Sequence, residues 1–151
     1  EPSKSDNYRT GFVTNLDMFP KVIEAARYLA SNELAVERIN VALDSGSQED
    51  EHSCFSDTTN FDIYFNYLGV KNVITENYNG VSFLSMTQEK NPALAKEITD
   101  ILADLDSKYA AFVPPFDVAL TTDDGRASLE GIVTQLQALG NKLNDASNAL
   151  K

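Results

Sequence analysis

The apolar residues of the last thirty positions constrain this chain most. Leu129, Ile132, Val133, Leu136, Leu139, Leu143 and Ala146 recur at three- and four-residue spacing, the period that lines one face of an α-helix. No Pro interrupts them, so the spacing predicts a helix over about 124–149 with one face committed to a core. The same period returns twice. Leu94, Ala95, Ile98, Ile101, Leu102, Leu105 and Tyr109 follow Asn91-Pro92, an N-cap residue with Pro at the first helical position. They predict a helix to about Phe112, broken by Pro114-Pro115. Phe19, Val22, Ile23, Ala26, Leu29 and Ala30, then Leu34, Ala35, Ile39, Ala42 and Leu43, form the third stripe. Asp17 is its expected N-cap, with Pro20 tolerated in the first turn. Ser31-Asn32 weakens its middle, giving either one long helix or two with a kink there. Asp44-Ser45-Gly46-Ser47 ends it, with Gly46 for the left-handed position.

Shorter elements lie between. Asp57 or Thr58 caps a short aromatic-rich helix over 59–68, in which Phe61, Tyr64, Phe65 and Tyr67 pack beside Ile63 and Leu68; Gly69 stops it. Residues 70–80 read as a loop closing on Asn79-Gly80, followed by a short helix near 82–89, one turn at 116–120 and a loop at 121–125. Residues 1–14 are polar and contain Gly and Pro, a flexible or loop-like N-terminal segment. The expected fold class is all-α: residues 15–151 form an up-and-down helical bundle, with short helices and irregular loops between three long helices.

Charge narrows the function. With 23 acids against 12 bases the formal net charge is -11, which argues against a nucleic-acid surface or an anionic leaflet, since both need clustered Lys and Arg. The longest apolar run is only a few residues, too short to span a bilayer. The chain opens at Glu1, with no n-region or h-region following, and is expected to be a processed or excised piece. Cys54 and His52 are the only residues of their kinds. They support no internal disulfide and no zinc-finger or His-rich site from this chain alone.

Two segments carry chemistry. In Glu33-Leu34-Ala35-Val36-Glu37-Arg38-Ile39, Glu33 and Glu37 stand four apart and share a helical face, where two carboxylates repel. A cation, an Arg, or donors from another segment would fit between them; a solvated face is the alternative. In Glu49-Asp50-Glu51-His52-Ser53-Cys54-Phe55-Ser56-Asp57, three acids precede the lone imidazole. Carboxylate and imidazole suit iron or zinc, although a loop histidine making one hydrogen bond has the same sequence. Ser53 and Cys54 lack the partners of an activated nucleophile.

Together these segments resemble the paired motifs of imelysin-like proteins, approximately ELAGERM followed by EDEHSCFSDNTH. The likeness continues through Leu68-Gly69-Val70-Lys71-Asn72-Val73, Asn91-Pro92-Ala93-Leu94 and Pro115-Phe116-Asp117, covering about residues 15–150. Val36 and Ile39 stand where the family has Gly and Met. Thr58 and Asn60 replace the Asn and the second His of the longer motif, removing one ligand. The Gly-x-His-x-x-Glu signature of the family's N-terminal half has no match here. The resemblance implies the C-terminal bundle of a two-bundle protein, whose partner is the N-terminal half, as a separate chain or cleaved fragment. It implies an iron-related binding or uptake component of the bacterial periplasm or outer-membrane surface. A metal ion, iron or zinc, would sit among Glu33, Glu37, Glu51, His52 and Asp57, supported by Arg38, Glu49, Asp50, Ser53, Cys54, Phe55 and Ser56. The alternative it implies is a metallopeptidase, which needs about three protein ligands, an open position and a general base. A purely structural network, with Arg38 on Glu51 or Asp57 and His52 capping a neighbouring helix, would look the same in sequence.

Overall fold

The stripes become helices, and four of them are long. A computed structural model describes residues 18–77, 79–112 and 114–150. The loop-like segment expected over 1–14 and the Asp17 cap lie outside the described residues. Helix α1 (Met18–Tyr28) runs without a break into a π-helical segment (Leu29–Asn40) and then α2 (Val41–Ser45). A 3-10 turn (Gln48–Asp50), α3 (Thr59–Thr75), α4 (Phe83–Lys90), α5 (Pro92–Ala111), α6 (Phe116–Leu120) and α7 (Asp123–Ala149) follow. The described residues form no strand.

Helix α7 is the axis of the bundle. Its seven stripe residues are all buried, and it packs along the π segment, α5, α1 and α6. Each fully buried Leu or Ile contributes about 1.5–3 kcal/mol. Gly140 lets it lie close: a Cβ built there would stand 2.5 Å from the Ser31 Cβ of the π segment. Thr122 caps α7 through its side chain on Gly125 N–H, so the loop expected over 121–125 shrinks to two residues. Asn91 caps α5 on Leu94 N–H, with Pro92 at the first position as expected. Ser82 and Ser85 form a reciprocal capping box on α4.

The expected kink at Ser31-Asn32 is a change of register. Val41 N–H bonds the Val36 carbonyl, five residues back, and twelve residues hold this wider turn although most π-helical turns are single. Ser31 Oγ donates to the Arg27 carbonyl at 3.0 Å where the widening begins. Gly46, at φ 64, closes the rod as expected.

Helix α3 departs further from expectation. Gly69 does not stop it, because Ile63, Tyr67, Val70 and Ile74 make a continuous buried face through to Thr75. That burial outweighs the roughly 1 kcal/mol a mid-helix Gly costs. Thr58 holds the N-cap position without a side-chain cap bond. The aromatic cluster also divides: Tyr67 is buried, while Phe61 and Phe65 are exposed. Three expected long helices thus become four.

Candidate functional site

Arg126, near the start of α7, fixes where the site forms. Its guanidinium donates to the Leu43 carbonyl at 2.8 Å and the Leu120 carbonyl at 3.4 Å. These carbonyls belong to helix ends with no intrahelical partner. One side chain therefore draws the end of α2 and the end of α6 together. Gly125 allows the first turn of α7 to close on α6, since a Cβ there would meet the Ala119 backbone at 2.5 Å. The loop leaving α2 must then pass beside α6.

That loop is built from its own hydroxyls. Ser47 accepts from Glu49 N–H at 3.2 Å. Ser53 N–H donates to Thr59 Oγ1 at 2.9 Å, and Ser53 Oγ donates to Asp62 in the first turn of α3. The N–H groups of Ser56 and Asp57 both reach the Ser53 carbonyl. Asp57 takes φ 58, a left-handed conformation uncommon outside Gly, Asn and Asp.

The result is a carboxylate group that sequence spacing does not show. One oxygen each from Glu51, Asp57 and Asp117 lies within 4.8 Å of the others. They line a cleft of about 170 Å³ with Gln48, Glu49, Cys54 and Phe55. Gln48 Nε2 donates to Asp117 Oδ2 at 3.0 Å, and Asp117 Oδ1 accepts from Val118 N–H at 2.7 Å. Glu51 is only 5% exposed, and its Oε1 has no hydrogen-bond partner. Among the described residues, no basic side chain lines the cleft. Unit charges about 4 Å apart repel by about 1 kcal/mol in water and about 4 kcal/mol at an effective dielectric of 20.

Five ligand positions were expected at one site: Glu33, Glu37, Glu51, His52 and Asp57. Only Glu51 and Asp57 meet. In the π register Arg38, five residues on, comes over Glu33. It donates Nε at 3.2 Å and Nη2 at 3.0 Å, while Glu37 is exposed. His52 projects outward and places Nε2 2.6 Å from Arg38 Nη1. A guanidinium only donates, so this contact requires a lone pair on Nε2. Neither His52 nor the Cys54 thiol joins the carboxylate group. Glu49, Asp50, Phe55 and Ser56 are exposed around it, and Ser53 and Cys54 are half-buried. Asp117 and Gln48 join the cleft although neither is among the expected site residues; the signal in the sequence is Pro115-Phe116-Asp117, a matching segment after a helix break.

The imelysin family model, Peptidase M75, matches residues 1–143. The chain belongs to the imelysin family. Among curated proteins, none matches it. In this imelysin chain the two segments that resemble the family's motifs lie in the π segment and in the loop leaving α2, and meet through the Arg38–His52 contact. No helix among the described residues is long and apolar enough to cross a membrane.

A second polar cluster lies between α3 and α5. Tyr67 donates to Asp106 Oδ1 at 2.8 Å and approaches the Leu102 carbonyl at 3.0 Å, while Lys71 pairs with Asp106 at 2.7 Å. Burial, then the Asp106 hydrogen bond, pushes the Tyr67 phenol well above its ordinary range. Burial alone raises Tyr109, whose hydroxyl has no partner and whose ring stacks on Tyr67 at 4.9 Å.

Proposed function

We propose that this imelysin chain is an iron-related binding or uptake component of the bacterial cell envelope, at the periplasm or outer-membrane surface, and holds a cation without hydrolysing peptides. The supporting observation is the cleft itself: three carboxylates from the loop and α6 converge, and one carries a buried, unpaired oxygen. A binding role needs anionic ligands at fixed separation, which the loop scaffold and the Arg126 clamp supply. A hydrolytic zinc centre needs imidazole or thiolate ligands, an open position and a general base. The single imidazole instead accepts from Arg38. Peptidase chemistry remains the second reading, favoured by the family's name, and would require ligands from another segment. In this reading the Arg38–His52 face is where the N-terminal half of the same protein completes the site.

The test is metal retention. Wild-type protein, His52→Ala and Glu51→Gln are incubated with iron salts, desalted and analysed by mass spectrometry of the metal. The expected result is retention by wild type and His52→Ala and loss in Glu51→Gln. Retention of iron by none of the three rules iron out as the cation held, and the absence of any bound metal rules the binding reading out. Peptide hydrolysis abolished by a chelator would establish the second reading.

A further inference from the structure

We infer that Glu51, Asp57 and Asp117 form a site for a hard divalent cation of the calcium class, which ties the loop leaving α2 to α6. This rests on the reading that the cleft takes a cation, and adds which one.

Three carboxylates alone would be an ordinary acidic surface. The deciding observation is Glu51, whose side chain is 95% buried by its 5% exposure and lines the cleft with Oε1 unpaired. A buried acceptor without a partner is uncommon in a folded protein, and a bound ion is one of its standard explanations. The donor set then selects the ion. Every ligand atom is a carboxylate oxygen, with the Gln48 amide beside Asp117. Imidazole and thiolate, which favour zinc and the softer transition metals, lie outside the group. The donor set therefore favours a hard cation over zinc.

Among hard cations, the arrangement suits calcium over magnesium. Calcium takes six to eight oxygens at about 2.3–2.6 Å in loose geometry, largely from carboxylates and carbonyls. Two such bonds span about 4.6–5.2 Å, which covers oxygens within 4.8 Å of one another without moving the backbone. Magnesium holds its ligands at about 2.0–2.1 Å in a near-ideal octahedron and usually keeps several waters. Two ligands come from the loop and one from α6, so the cation would cross-link segments sixty residues apart. Glu51 and His52 are adjacent, so fixing Glu51 also fixes the residue that meets Arg38.

Isothermal titration of chelator-treated protein with calcium chloride tests this, with magnesium chloride, zinc chloride and ferric citrate as parallel arms. One calcium is expected to bind, with affinity at least tenfold above magnesium, and Glu51→Gln and Asp117→Asn should each weaken it tenfold or more. Glu130→Gln, an exposed change on α7, should leave it unchanged. Thermal melts guard against a misfolded variant. Without metal, Glu51→Gln should melt at or above wild type, because it removes repulsion. With calcium, only wild type should rise. Binding of ferric ion or zinc but not calcium, lost in Glu51→Gln, overturns the calcium assignment and leaves the cation reading intact. No binding of any metal overturns both. Calcium binding that survives Glu51→Gln and Asp117→Asn places the ion elsewhere and refutes this site.

Discussion

Gly140→Ala should destabilise this protein, against the usual helical preference, because α7 touches the π segment there. Ala is favoured over Gly in a helix interior by about 1 kcal/mol, so propensity alone predicts a gain. The added Cβ would stand 2.5 Å from Ser31 Cβ and 3.0 Å from Ser31 Oγ. The hydroxyl could rotate aside, but the Ser31 Cβ is fixed to the backbone, so the two helices must separate by roughly an ångström. Overpacking of this kind costs about 1–3 kcal/mol, occasionally more. The net expectation is a loss of up to about 2 kcal/mol, or a melting temperature lower by up to about 8 °C for a chain of this size. Urea unfolding followed by circular dichroism gives the free energy, with the m-value expected to be unchanged. Ser31→Gly completes a double-mutant cycle. Alone it removes the bond to the Arg27 carbonyl and destabilises, but in its background Gly140→Ala should turn neutral or favourable, a coupling of about 1–3 kcal/mol. A stabilising Gly140→Ala in the wild-type background would refute the close approach, and with it the packing ascribed to the π segment.

Other positions give contrasting signs. Gly69→Ala, mid-helix with nothing within 4 Å of the new Cβ, should stabilise by about 0.5–1 kcal/mol in the same urea assay. Tyr109→Phe removes a buried hydroxyl that lacks a partner and should be neutral or stabilising by about 1 kcal/mol. Tyr67→Phe, which strips a donor from Asp106, should cost about 1–2 kcal/mol by chemical denaturation. Both phenols are raised above their ordinary value of 10.0. The unfolded chain therefore loses these protons first as pH rises, so their contribution is intact below about pH 10 and declines above it. Melting temperature against pH should fall on that alkaline limb, less steeply in Tyr109→Phe; an unchanged limb would disprove that tyrosine's part.

Much of the bundle was legible because burial repeats with the helical period. The stripes on α5 and α7 could be read from spacing, and Asn91-Pro92 and Gly46 mark boundaries with a direct backbone reason. The full extent of α3 was not legible, since Gly69 is a local stop signal and the burial of Val70 and Ile74 that overrides it is tertiary. Nor was the π register. Counting four residues from Glu33 to Glu37 assumes an α-helix, and five residues to Arg38 is a contact only once the turn has widened. Asp117 shows a different limit. Its neighbours in the cleft lie about sixty residues away, and what joins them is Arg126 reaching two helix ends, which no spacing in the chain encodes.

The acidic run and its imidazole invited a reading as one metal site, and the backbone separates them. Adjacent residues in an extended conformation point to opposite sides, and Glu51 has φ -68 and ψ 133. Its carboxylate turns inward beneath the loop while His52 faces out to Arg38. The chemistry divides in the same way. Inside, carboxylate oxygens crowd with no basic side chain among the described lining residues, an arrangement that a cation would relieve. Outside, a guanidinium joins a carboxylate and an imidazole on the surface, an arrangement already balanced without one. The half-exposed Arg38–Glu33 pair contributes little to stability, about 0–1 kcal/mol. What it adds is orientation: the π register sets Arg38 over Glu33, and the loop sets His52 against Arg38. A cation held by Glu51 would therefore determine how firmly that outer face is presented, linking the two motifs through one loop rather than through shared ligands.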